Sequence, residues 1–105
     1  MSTRDKRYDN IASLYKDGKV TTLTDIFKTV PKTVISIDIG KRVVDFNKRL
    51  NKPDLFEIGE IYLIGRLCGL TESEIYDLYE DHYFKIKNGK ITGDGKKVTV
   101  KKRSI

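Results

Sequence analysis

The sequence predicts a mainly α-helical fold of five to six helices, closing in a small β-hairpin or meander, or else in a basic tail. Three observations predict it. Apolar side chains recur at three- and four-residue spacing from Tyr8 to Tyr79. Glycine or proline interrupts that spacing at Gly18, Pro31, Gly40, Pro53 and Gly69, and each can start or stop a helix. From Phe84 onward the apolar spacing shortens to every second residue, the period of a strand. Residues 1–84 are therefore expected as a helical domain and residues 85–105 as a basic hairpin or tail.

Residues 7–17 form the first expected helix, with Tyr8, Ile11, Ala12, Leu14 and Tyr15 as its stripe and Gly18 as its stop. Residues 22–30 form the second, with Leu23, Ile26, Phe27 and Val30 on one face. Pro31 marks a boundary, so a third helix opens near Lys32, turns Val34, Ile35 and Ile39 inward, and ends at Gly40. Residues 42–51 form the fourth, packed through Phe46 and Leu50 with Val43 at the edge. Asn51-Lys52-Pro53-Asp54 is a stop-and-turn cluster. The fifth helix, residues 57–68, is expected to face a core with Ile58, Ile61, Ile64 and Leu67, and Gly69 closes it. Thr71-Glu72-Ser73-Glu74 has the form of a capping box and opens a sixth, in which Ile75, Leu78, Tyr79 and His82 follow at helical spacing.

In the last twenty residues, Phe84-Lys85-Ile86-Lys87 and Lys90-Ile91-Thr92 flank Asn88-Gly89, the pair most favoured in a tight hairpin turn. Asp94-Gly95 offers a second turn before Lys96-Lys97-Val98-Thr99-Val100. Counting outward sets Ile86 opposite Ile91 and Ile91 opposite Val98. Lys87 would then face Lys90, a like-charge pair that costs stability unless an anion lies over it.

Composition excludes several classes. A chain of 105 residues with 38% apolar and 34% charged side chains suits one compact domain, and its ten aromatics oppose wholesale disorder. No apolar run approaches the ~20 residues of a membrane span, and the first residues lack the apolar stretch of a signal peptide; a cytoplasmic protein is expected. A single cysteine, Cys68, forms neither an internal disulfide nor a thiolate zinc cluster, and reads as a small buried hydrophobe. His82, the one histidine, has no second imidazole to share a metal and reads as a surface or core-edge residue. Tyr62, Tyr76, Tyr79 and Tyr83 read as packing and interface residues. Gly93-Asp94-Gly95 lacks the strand-to-helix setting of a phosphate loop. No enzyme, cofactor, metal or small-molecule ligand is indicated.

The net charge of +6 is unevenly spread: residues 1–27 carry +1, 28–52 carry +5, 53–84 carry −7 and 85–105 carry +7. Such segregation suits a polyanionic partner, because clustered Lys and Arg release counterions condensed on nucleic acid. The +5 segment holds two short helices meeting at Gly40, the arrangement of a helix-turn-helix. Its second helix keeps Phe46 and Leu50 inside and leaves Arg42, Val44, Asp45, Lys48 and Arg49 for base edges. Arg and Lys suit guanine, and valine suits the thymine methyl. Lys28, Lys32, Thr33 and Lys52, with Lys41 in the turn, are the expected phosphate contacts and neighbours of the motif.

Ile26-Phe27-Lys28-Thr29-Val30-Pro31-Lys32-Thr33-Val34, Ile39-Gly40 and Phe46-Asn47-Lys48-Arg49-Leu50-Asn51-Lys52-Pro53 resemble the entry, turn and recognition helix of the lambda-repressor-like (Cro/repressor) family. Phe56-Glu57-Ile58-Gly59-Glu60-Ile61 and Leu67-Cys68-Gly69-Leu70-Thr71 are similar to that family's closing helices. The resemblance is to short bacterial and mobile-element members and runs from Leu23 to Tyr79. It implies a transcriptional regulator that binds double-stranded DNA, commonly as a homodimer. Three positions depart from the pattern: Lys32 stands where family members often carry a glutamine that orients the recognition helix, Lys41 where an apolar residue is usual, and Asp45 would bring a carboxylate to DNA. Two alternatives stand beside it. One is a protein-interaction module, an accessory or antitoxin-like subunit meeting a basic partner through its acidic closing helices. The other is RNA binding through the lysine-rich tail.

Overall fold

The structure, a computed structural model, describes residues 5–92. Among them the chain forms six α-helices and two 3-10 turns, and no strand. The order is a 3-10 turn at Lys6–Asn10, α1 (Ile11–Lys16), α2 (Leu23–Ile26), α3 (Lys32–Asp38), α4 (Val43–Asn51), a 3-10 turn at Pro53–Leu55, α5 (Ile58–Cys68) and α6 (Glu72–Lys87).

The first expected helix begins as a 3-10 turn because Asp5 caps it, its Oδ1 accepting from the Arg7 backbone N–H at 2.9 Å. Tyr8 is fully buried and donates its hydroxyl to Asp38 Oδ2 at 2.8 Å, pinning this turn to the end of α3. The second expected helix is cut short after Ile26. Phe27, Lys28 and Thr29 continue as tight turns bonded three residues back, since Pro31 excludes the helical conformation from Val30 and two β-branched residues precede it.

The core gathers one stripe from each helix: Ile11, Leu23, Ile35, Phe46, Ile61 and Ile75 are each at most 2% exposed. In α5 the stripe is Ile61, Ile64, Gly65 and Cys68, so Ile58, expected to face the core, stands half-exposed at the first turn. Leu67 and Val34 are only partly buried. Gly65 lets α5 and α6 touch: a Cβ there would lie 2.6 Å from Ile75 Cγ2.

α6 corrects the hairpin expectation. It runs sixteen residues, through Phe84-Lys85-Ile86-Lys87 and across the expected 84/85 boundary. Ile86 follows His82 by four residues and so prolongs the buried stripe as well as it would a strand, while Lys85 and Lys87 suit the negative end of a helix. Asn88-Gly89 is the stop of this helix: Gly89 takes φ +69° and the Lys90 N–H reaches back to the Lys85 carbonyl at 2.8 Å. Lys87 accordingly faces Asp54, at 2.8 Å, and not Lys90. The second expected turn, Asp94-Gly95, and the strand after it lie outside the described residues.

No helix among the described residues is long and apolar enough to cross a membrane.

Candidate nucleic-acid interface

α3 ends at Asp38 with Ile39 as its cap, and Gly40 at φ +75° turns the chain so that α4 can start at Val43, after Arg42. The turn is closed by the Lys41 N–H on the Ser36 carbonyl at 2.8 Å. The inner face of α4 is held at both ends. Phe46 meets Phe27 and Phe56 edge-on, with ring centroids 5.7 and 6.1 Å away. Leu50 is fully buried, and its carbonyl pairs with His82 Nε2 of α6 at 2.9 Å, which satisfies a backbone acceptor that the helix end leaves unbonded. His82 is thus a core residue, not a core-edge one. Burial holds its pKa below the ordinary value, against a smaller opposite effect of the Leu50 bond. Cys68 is buried, as its apolar setting implied.

The outer face of α4 is a shallow groove of about 540 Å³ lined by Val44, Asn47, Lys48, Asn51, Lys52 and Leu55. Val44 is 54% exposed, and Lys48 and Lys52 are exposed beside it. Sequence reasoning passed over Asn47 and Asn51. Their spacing of three and seven residues from Val44 puts them on its face and was the available signal. Lys32, expected at phosphate, reaches across from α3 and donates to Asn47 Oδ1 at 3.0 Å. It therefore bridges α3 and α4.

Two of the expected DNA contacts point elsewhere. Arg49 Nε donates to Glu60 Oε1 of α5 at 3.1 Å and its Nη1 to the Asp45 carbonyl at 3.2 Å. Lys41 Nζ lies 3.2 Å from Glu60 Oε2. Glu60, only 8% exposed, also accepts the Glu57 N–H at 3.0 Å and so caps α5. Burial opposes its ionisation most, but the Glu57 N–H and the two cations outweigh burial and hold its pKa below the ordinary value. A carboxylate at this depth needs paired charge, and it draws both side chains inward.

Arg42 is exposed and pairs with Asp45 Oδ2 at 3.1 Å, which lowers the Asp45 pKa. Asp45 is thus a clamp on Arg42. Lys28 lies on the turn after α2, its side chain 80% exposed and 3.4 Å from Asp25. Thr33 is exposed in the first turn of α3. The residues brought together on one face are therefore Val44, Lys48 and Lys52, with Lys32 joined to it through Asn47.

Comparison with protein families, with curated proteins and with solved structures returns no match for this chain.

Proposed function

We propose that the protein binds double-stranded DNA through α4 and acts as a helix-turn-helix transcriptional regulator of lambda-repressor-like type. One observation carries the reading: α4 is clamped from behind by Phe46, Leu50 and His82 while its front offers a row of Val44, Asn47, Lys48 and Asn51. These side chains match what base edges present. Lysine suits the guanine acceptors, the asparagine amides suit adenine, and valine suits the thymine methyl. Lys52 and Lys28 supply phosphate contacts at either side. Arg49 and Lys41 serve instead to fix the angle of α4 through Glu60.

Titration of labelled duplex at several salt concentrations tests the reading. Affinity should fall steeply with salt, by a log–log slope of about −0.9 per neutralised phosphate. Replacing Lys48 and Lys52 by glutamate should weaken binding by at least about tenfold with the helical content unchanged. Absence of binding at micromolar protein in low salt, or binding indifferent to salt, overturns it.

A further inference from the structure

α6 turns one face to the core, with Ile75, Leu78 and His82 buried. Away from that face, Tyr76, Tyr79, Glu80, Tyr83 and Phe84 follow at helical spacing and line a shallow recess of about 240 Å³. The rings stand close without stacking flat. Tyr79 lies 5.8 Å from Tyr76 and 6.2 Å from Tyr83, at interplanar angles of 46° and 55°, and Phe84 meets Tyr83 edge-on at 5.5 Å. Tyr79 is held from behind: its hydroxyl donates to the Pro53 carbonyl at 2.8 Å, and its ring meets Phe56 edge-on at 5.9 Å. Tyr76 is 38% and Phe84 57% exposed, so these rings are open to a ligand.

Charge selects the ligand. The Glu80 carboxylate is exposed at the recess and pairs with no other described residue. Asp77, three residues before it, adds a negative charge on the same side of the helix. One of these rings already takes a cation within the molecule. Lys87 Nζ lies 5.3 Å from the Tyr83 ring centre, and Asp54 accepts its hydrogen bond at 2.8 Å. Lys87 and Asp54 neutralise each other, which leaves Glu80 to set the sign of the recess. Aromatic rings beside a carboxylate attract cations and repel phosphate. A primary ammonium has three N–H donors to satisfy, and the recess offers one carboxylate among four rings. An ammonium whose hydrogens are replaced by methyl groups keeps its charge without that demand, and its methyls pack on ring faces. We propose that this recess binds a small organic cation bearing a methylated ammonium group, with Tyr76, Tyr83 and Phe84 as its walls and Glu80 as its counter-ion.

Titration of the full chain with choline tests this, followed through the ring resonances of Tyr76, Tyr83 and Phe84 in NMR spectra, with circular dichroism as the check on folding. Those resonances should shift and saturate with a dissociation constant on the order of millimolar, while those of the buried Tyr8 and Phe46 stay in place. Dimethylbutanol, the uncharged isostere of choline, should bind at least about tenfold more weakly. Phe84→Leu should weaken choline binding about two- to fivefold. Glu80→Gln should weaken it by about as much, and its difference from the native chain should shrink as salt is raised. Choline that shifts no ring resonance at tens of millimolar, an isostere that binds equally well, or a folded Glu80→Gln chain that binds like the native one overturns the proposal. Vesicles of phosphatidylcholine should leave the chain in solution; retention on them overturns the assignment to a small free cation.

Discussion

Arg49 of α4 donates its Nε to Glu60 Oε1 of α5 at 3.1 Å, so a side chain that helical spacing offered to DNA is spent on holding two helices together. Lys48, one residue earlier, has the opposite fate and stands on the open face. The pair separates positioning from contact. Lys48→Gln should lower duplex affinity and leave the denaturation midpoint unchanged. Arg49→Gln should lower stability by about 1–3 kcal/mol, because it leaves a buried carboxylate short of a charged partner. Urea denaturation beside the duplex titration reads both.

Glu60 should make the fold acid-sensitive. Its folded pKa lies below the ordinary value of 4.5, so its contribution is present above the unfolded pKa and is lost as pH falls through the folded one. Glu60→Gln should cost about 2 kcal/mol at neutral pH and flatten the stability profile on the acid side. Chemical denaturation from pH 7 down to about 3 spans that window.

His82 acts in a higher window. Burial depresses its folded pKa below 6.5, so the unfolded chain takes up the proton first and stability drops as pH falls beneath that value. The drop should vanish in His82→Gln, which keeps a donor for the Leu50 carbonyl. The His82 ring resonances in an NMR titration should show a midpoint below 6.5.

Gly65→Ala should destabilise by about 1–3 kcal/mol through overpacking, since the added methyl would meet Ile75 at 2.6 Å. The cost should shrink in an Ile75→Ala background. A double-mutant cycle on thermal or urea midpoints measures that coupling.

Gly40 and Gly59 should respond in opposite directions to alanine, although a Cβ would meet no atom within 4 Å at either. At Gly40 the φ of +75° makes alanine cost about 1 kcal/mol. At Gly59, inside α5, alanine should stabilise by about 0.5–1 kcal/mol. Comparing the two midpoints isolates backbone conformation from packing.

Much of the architecture was legible because its signals are local. Positive φ at Gly18, Gly40 and Gly69, the bar that Pro31 sets on Val30, and the Thr71 capping box are consequences of a few adjacent residues. Even so, Phe84-Lys85-Ile86-Lys87 fits a strand or a helix end equally, because four residues carry too little period to tell 2 from 3.6. The bonds from His82 to the Leu50 carbonyl and from Lys87 to Asp54 decided it.

The site divides along the same line. Helical spacing alone identified the inner face of α4 through Phe46 and Leu50, and an outer face bearing Val44 and Lys48. Only the tertiary structure settled which long cations stay outside. Lysine and arginine side chains reach far enough to answer to whichever charge lies nearest in space, and the buried carboxylate of Glu60 comes from a helix that starts only after α4 has ended. Backbone conformation is set by neighbours along the chain; the direction of a charged side chain is set by neighbours across it.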